Sequence, residues 1–164
     1  MHRRGFLKAA AGAAVAAVVL PRWARALVPG MLPHSARAPI AAPEITVYKT
    51  PTCGCCRLWV EHAEKNGFKV KVIDMDDLTS IKRTAGVPAK LESCHTALVG
   101  KYVVEGHVPA DLIQKMLKEK PAILGLAVAG MVAGSPGMEQ GASKVPYDVT
   151  AFTRDGKFSL YAKR

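Results

Sequence analysis

Hydrophobic and polar positions predict that the folded part of the chain begins with a strand, a tight junction and a helix. An apolar pattern with a period of two predicts the strand over residues 45–48. Thr50-Pro51-Thr52 ends that strand, and the Thr52 hydroxyl is suited to capping a helix. A helical period then continues to about Asn66, and Gly67 is a typical C-terminal stop.

The patterns that follow predict three more strands and two more helices. They are a strand over 69–75, a helix over 78–85, strands over 96–99 and 102–105, and a helix whose first turn holds Pro109. The order strand–helix–strand–helix–strand–strand–helix, with cysteines opening the first helix, is that of the thioredoxin-like fold. Its first strand–helix–strand unit should form a right-handed parallel crossover. We therefore predict an α/β, thioredoxin-like domain over residues 44–164.

The C-terminal third predicts a loop and then a hairpin. Residues 121–141 hold five glycines together with Met131 and Met138, so we expect a folded-back loop that is too interrupted to span a membrane. Residues 147–161 alternate around Asp155-Gly156, which is a strong hairpin signal.

The first 26 residues have the pattern of an export signal. A basic start precedes an apolar run over residues 9–20 and a small-residue site at 24–26. The run is shorter than the roughly 20 residues of a membrane span, although an uncleaved anchor is the alternative. Residues 2–8 resemble a twin-arginine signal, with His2 in place of the usual Ser or Thr. We therefore expect the mature protein in a bacterial periplasm, where cysteines form disulfides unless a metal holds them.

Residues 27–43 contain four prolines and are predicted to be an extended, solvated linker. Met31 and His34 lie in it and are expected to be solvated tail residues rather than metal ligands. No membrane span is expected once the signal is removed.

The net charge of +10 does not predict a nucleic-acid partner. Five basic residues and no acidic ones lie in the first 26 residues, and the remainder has 18 basic and 13 acidic residues without a block of like charge. There is also no basic helix interleaved with aromatic residues. We therefore expect no nucleic-acid binding.

Three of the four cysteines, Cys53, Cys55 and Cys56, lie together at the predicted junction of strand and helix. Cys53 and Cys56 have the C-x-x-C spacing of a redox pair. In the first turn of a helix, free N–H groups and the positive dipole end favour the thiolate over the thiol. Both disulfide exchange and soft-metal binding need thiolates, so the spacing alone leaves both uses open.

Cys55 favours the metal. A third thiol beside an exchange pair invites scrambling, whereas three thiolates in one turn plus Cys94 give the sulfur-rich ligand set that Cu(I) prefers. Zinc would accept four thiolates in a tetrahedron. Two structural disulfides are the remaining alternative, but adjacent half-cystines at a helix start crowd the required geometry.

Cys94 and His95 contribute to the site only if they face the cluster. In a thioredoxin-like fold the residues that open the third strand lie against the N-terminus of the first helix, and a cis-proline is usual there. Pro88 is several residues too early to be that proline. The missing proline argues against a standard disulfide exchanger, and the added thiol and imidazole argue for a metal.

Three more residues are candidate ligands. Met131 and Met138 offer thioethers, soft donors suited to Cu(I), in a loop that lacks a helical stripe. His107 precedes the third helix and either points to the same side or is simply solvated. His62 lies six residues after Cys56, about 240° round the helix, so we predict a surface residue.

Several motifs resemble the CopG-like copper-resistance family, once a domain of unknown function. They are residues 48–56, Trp59, residues 94–97, 105–110 and 125–128, and Gly130-Met131 followed by residues 134–139. The resemblance covers about residues 45–163. Ala129 and Val132 depart from it, because the family commonly has Val-Pro-Gly-Met-Pro there.

The resemblance implies a thioredoxin-like fold, a periplasmic location, bound copper and the company of other copper-resistance proteins. By matching position, copper would be held by the cysteines Cys53, Cys55, Cys56 and Cys94, with His95, His107, Met131 and Met138 as further ligands or their neighbours.

Three functions follow from the sequence. The favoured one is a periplasmic protein of copper resistance that holds Cu(I), as one or several ions, in a thiolate cluster, with redox cycling of copper as an extension. The alternative is a thiol-disulfide oxidoreductase that uses Cys53 and Cys56. A structural or zinc-binding module is third. No second cofactor motif is present, so any electrons would have to come from the thiols, the copper or a partner. A binding role is favoured, and copper or thiol redox activity stays open.

Overall fold

The computed structural model describes residues 42–139 and 145–164. The predicted export signal, Met31, His34 and nearly all of the predicted linker lie outside the described residues, so those assignments stay predictions. Within the described residues, no helix combines the length and the apolar character needed to cross a membrane.

Seven strands and three helices form the described part of the chain. In order they are β1 (Glu44–Lys49), α1 (Gly54–Lys65), β2 (Lys69–Asp74), α2 (Thr79–Ala85), β3 (His95–Val99), β4 (Tyr102–Glu105), α3 (Ala110–Glu119), β5 (Gly125–Ala127), β6 (Asp148–Phe152) and β7 (Phe158–Lys163). A single 3₁₀ turn at Ala89–Leu91 precedes β3. The order predicted up to residue 119 is confirmed, as is the C-terminal hairpin.

Strand β5 was missed, because its three residues lie inside the stretch that we predicted to be loop. It is parallel to β4 on one side and antiparallel to β6 on the other. A three-residue strand has too short a pattern to be seen in sequence, and its neighbours in the sheet define it.

All seven strands form one mixed sheet in the order β2-β1-β3-β4-β5-β6-β7. Strands β1 and β2 are parallel, so the chain must cross over between them, and α1 makes that crossover. Strand β3 then runs antiparallel to β1, with His95 opposite Lys49. The end of β1, where the cysteine cluster begins, is therefore next to the start of β3.

Helix α1 packs its apolar face on this sheet. Trp59 and Ala63 are fully buried in the same core as Ile45 and Val47 of β1. Each large apolar side chain buried in this way stabilises the fold by about 1.5–3 kcal/mol. The Trp59 Nε1–H also donates to the Val108 carbonyl oxygen at 2.9 Å. This bond fixes α1 relative to the segment that joins β4 to α3.

Candidate metal centre

Helix α1 begins at a cysteine rather than at the predicted threonine. Cys53 is the N-cap residue, with an extended backbone, and its Sγ accepts a hydrogen bond from the Cys56 N–H at 3.4 Å. The predicted Thr52 cap is therefore wrong, because Cys53 occupies the N-cap position. The sulfur takes the place that a hydroxyl usually fills at a helix start.

Cys53 and Cys56 form a disulfide, whereas Cys55 and Cys94 are free thiols. The C-x-x-C spacing puts the two Cα atoms 5.3 Å apart, a normal separation for a bridge. The predicted set of four thiolates therefore belongs to the reduced protein, and the structure shows its oxidised counterpart.

The four sulfurs meet at one place. The Sγ atoms of Cys53 and Cys55 are 3.5 Å apart, and those of Cys55 and Cys94 are 4.0 Å apart. All four lie within 4.8 Å of one another. Cys94 reaches the cluster because it directly precedes β3, whose first residue is opposite the last residue of β1.

Two histidines adjoin Cys94 and extend the group of donors. The Cys94 Sγ lies 3.0 Å from the His107 Nε2 and 3.4 Å from the His95 Nδ1. The His107 Nδ1–H donates to the Pro136 carbonyl oxygen at 2.7 Å, so Nε2 keeps the lone pair that faces the sulfur. A carbonyl that orients a ring in this way is typical of metal-binding histidines.

His95 is fully buried and stacks against Trp59, with ring centroids 4.5 Å apart. Its Nε2 has no hydrogen-bond partner among the described residues. A buried polar atom without a partner is costly and needs an explanation, and a bound ion is one of those known for such atoms.

Burial sets the protonation of these groups. It raises the pKa of the Cys94 thiol to about 12, and the neighbouring Cys55 sulfur adds to the rise. Cys94 is therefore a protonated thiol in the metal-free, disulfide-bonded protein. Burial also lowers the pKa of His95 and His107, which keeps both rings neutral. A soft cation would have to displace the Cys94 proton.

The predicted loop holds the site in place. Pro136 supplies the carbonyl for His107, and Gly137 packs against the start of α1 with a φ of +83°. A Cβ on Gly137 would lie 2.7 Å from the Trp59 backbone nitrogen, so only glycine fits. Neither role was predicted from the sequence, because a backbone carbonyl leaves no signal in residue type.

The two methionines differ in exposure. Met131 is 65% exposed, and Met138 is half-buried two residues after Pro136. Their thioethers stay candidate ligands by prediction.

His62 is not the free surface residue that we predicted. It is half-buried, and its Nε2 accepts a hydrogen bond from the Ala110 N–H at 3.1 Å at the start of α3. The helical angle places His62 on a different side of α1 from Cys56, but the start of α3 covers that side.

The buried histidines predict a loss of stability in acid. Below pH 6.5 the unfolded chain protonates His95 and His107 while the folded protein keeps them neutral, so the free energy of unfolding falls with pH. The slope is at most about 1.4 kcal/mol per pH unit for each histidine. Glu105, whose pKa burial raises, takes up its proton earlier in the folded protein and reduces this slope.

Urea unfolding of the oxidised, metal-free protein between pH 7.5 and 5 measures the effect. In His107→Gln the slope should be smaller, by at most about 1.4 kcal/mol per pH unit. A slope that this variant leaves unchanged would contradict the assignment.

The donors fit a soft cation. Sulfur and imidazole are the ligands that Cu(I) and zinc prefer, and His107 already has the carbonyl partner that a ligating histidine needs. Cys53, Cys55, Cys56 and Cys94 form one group of converging donors, and Cys94 forms a second with His95 and His107. Cys94 belongs to both groups.

Comparison with known proteins identifies relatives. A family described as "Protein of unknown function, DUF411" matches residues 91–138. Two solved structures of copper resistance protein CopG, a form 2 and a form 1, are 43% and 44% identical to this chain, each with a TM-score of 0.71. Each match covers 74% of this chain and 98% of the solved chain. No curated protein matches the chain. The identity extends over nearly all of both solved chains, and the chain therefore belongs to the CopG-like copper-resistance family that its motifs predicted.

Proposed function

We propose that this protein is a periplasmic copper-binding protein of copper resistance, which holds Cu(I) on its cysteine cluster when the cluster is reduced. The observation that carries the proposal is the convergence of four sulfurs, from two distant parts of the chain, beside a histidine that is already oriented. Copper is the cargo of the protein in this proposal. The solved relatives of the protein are named for copper resistance.

Each part of the site has a role in this proposal. Reduction of the Cys53–Cys56 disulfide supplies two more thiolates at the positive end of α1. Cys94 gives up its proton when a cation binds and adds a thiolate from the other side. His107 offers its Nε2 lone pair because its Nδ1–H is engaged by Pro136. His95, Met131 and Met138 are further candidate ligands or neighbours.

The fold and the location belong to the same proposal. The strand order β2-β1-β3-β4, with β1 parallel to β2 and antiparallel to β3, supports a thioredoxin-like core to which β5, β6 and β7 are added. The basic, apolar leader supports export, by the twin-arginine route, to a periplasm where other copper-resistance proteins are partners.

Redox cycling of copper is an extension of this function. Two Cu(II) ions would each take one electron from the thiols of Cys53 and Cys56, giving two Cu(I) ions, the disulfide and two protons. The disulfide in the structure is the oxidised half of such a couple. Copper reduction that persisted without all four cysteines would remove this extension.

A thiol-disulfide oxidoreductase is the second candidate, and the Cys53–Cys56 disulfide favours it. In that case Cys53 and Cys56 exchange with a substrate disulfide, while Cys55 and Cys94 take no part. The zinc-binding module is a third possibility that the same experiment addresses.

A paired experiment separates the candidates. Reduced protein should bind Cu(I) in an anaerobic titration. Cys55→Ser should weaken the Cu(I) affinity by at least about tenfold, because one of four converging thiolates is lost. The same variants are assayed for reduction of insulin disulfides. If Cys55→Ser kept full copper uptake while Cys53→Ser abolished insulin turnover, the oxidoreductase would be favoured. Zinc that resisted displacement by copper would favour the zinc module.

A further inference from the structure

A buried ion pair lies next to the metal centre. Lys82 of α2 is 6% exposed and Glu105 at the end of β4 is fully buried, and the Lys82 ammonium contacts the Glu105 carboxylate. Neither residue belongs to the groups of converging donors. Replacing a buried ion pair by apolar residues is often neutral for stability or stabilising, so stability alone does not explain this pair.

The Glu105 carboxylate accepts hydrogen bonds from the residues on both sides of the Cys94-His95 segment. Its Oε1 accepts a hydrogen bond from the Ser93 backbone N–H at 2.7 Å, and its Oε2 accepts one from the Thr96 Oγ1 at 2.7 Å. Ser93 directly precedes Cys94, and Thr96 directly follows His95. Bonds to a carboxylate are about twice as strong as bonds between neutral groups.

The backbone of Glu105 leads directly to the other half of the site. Gly106 and His107 follow it, and the Gly106 N–H donates to the His95 carbonyl oxygen at 2.9 Å. Glu105 is therefore joined through Gly106 to His107, and its side chain holds the Ser93 backbone next to Cys94. The Cys94 Sγ and the His107 Nε2, at the two ends of that link, are 3.0 Å apart.

We propose that Glu105, paired with Lys82, is a positioning residue that sets the distance between the two copper-binding groups Cys94 and His107. The proposal rests on the copper-binding function given above. Lys82 compensates the buried carboxylate and extends the link to α2. Displacing such a supporting partner typically weakens metal binding by about 10- to 100-fold.

Two double variants separate positioning from stability, since both remove the buried charges. In Lys82→Met/Glu105→Gln the amide oxygen still accepts from the Ser93 N–H, and the amide NH₂ can donate to Thr96. In Lys82→Met/Glu105→Leu no acceptor remains for Ser93. We expect the Gln pair to bind Cu(I) within about threefold of the native protein, and the Leu pair to bind about 10- to 100-fold more weakly at comparable stability.

A readout without metal accompanies the titration. In the oxidised, metal-free protein, alkylation of Cys94 by iodoacetamide, followed by mass spectrometry, should be several-fold faster in the Leu pair than in the Gln pair. Equal copper affinity and equal alkylation in the two folded pairs would overturn the proposal. If the native protein took up no copper, the proposed function would fail, while different alkylation rates would still support positioning of Cys94.

The Leu pair has a substitute if it does not fold. Lys82→Met/Glu105→Met also lacks the acceptor, and the unbranched Met side chain adapts to an irregular space. If neither apolar pair folds, Glu105 serves the fold rather than the site, and the proposal is overturned.

Discussion

Cys94→Ser should lower the Cu(I) affinity of the reduced protein by more than about 100-fold, and more than Cys55→Ser does. Loss of a supporting partner alone costs about 10- to 100-fold, and here a ligand is lost. Cys94 belongs to both groups of donors, the cysteine cluster and the group with His95 and His107, whereas Cys55 belongs to the first alone. The serine hydroxyl is a hard donor that stays protonated, but it can still donate to His107.

Competition with a coloured Cu(I) chelator measures the Cu(I) affinity of both variants. The insulin assay and thermal unfolding are carried out on the same variants. Thermal unfolding of the metal-free proteins checks that Cys94→Ser is folded. An equal or larger loss of affinity in Cys55→Ser would contradict the central place of Cys94.

Gly106→Ala should lower the free energy of unfolding by about 2–5 kcal/mol, because two penalties add. The φ of Gly106 is +67°, a conformation that costs alanine about 1–2 kcal/mol. An added Cβ would also lie 2.6 Å from the Val128 carbonyl oxygen, which belongs to the backbone, and 2.4 Å from the Ser93 Oγ. Overpacking of this kind costs about another 1–3 kcal/mol.

Gly100→Ala is the matched control. Gly100 has a φ of +56°, but nothing lies within 4 Å of the Cβ that would be added, so only the first penalty applies. Urea unfolding of the oxidised, metal-free protein should therefore show a loss of about 1–2 kcal/mol for Gly100→Ala. Equal losses in the two variants would show that the contacts with Ser93 and Val128 do not matter.

Local patterns were sufficient to place the main elements of the fold. Strand and helix periods located every strand up to residue 119 and the first two helices to within two residues, as well as the start of α3, and the Asp155-Gly156 turn located the hairpin, whereas the 3₁₀ turn at Ala89–Leu91 was missed. These signals are short-range, because a period of two or of 3.6 is set by which side of a single element faces the core. The same reasoning failed for β5, which has only three residues.

Residue type and spacing were also sufficient to find the sulfur cluster. Three thiols in four residues at a junction of strand and helix lie together in any fold, but which of them pair was left open by the spacing, and the structure gives the Cys53–Cys56 disulfide. Cys94 could be placed beside them only by analogy with a fold. The register between β1 and β3 is what brings it there.

The tertiary structure alone decided how the site is supported. The Pro136 carbonyl orients His107, Glu105 holds the backbone beside Cys94, and a neighbouring helix covers His62. These contacts join residues 12 to 48 positions apart in the sequence, and a backbone carbonyl or a buried charge looks the same in sequence wherever it points. The sequence by itself determined the chemistry that this protein can offer, and the packing of the sheet, α1 and the glycine-rich loop decided which atoms offer it together.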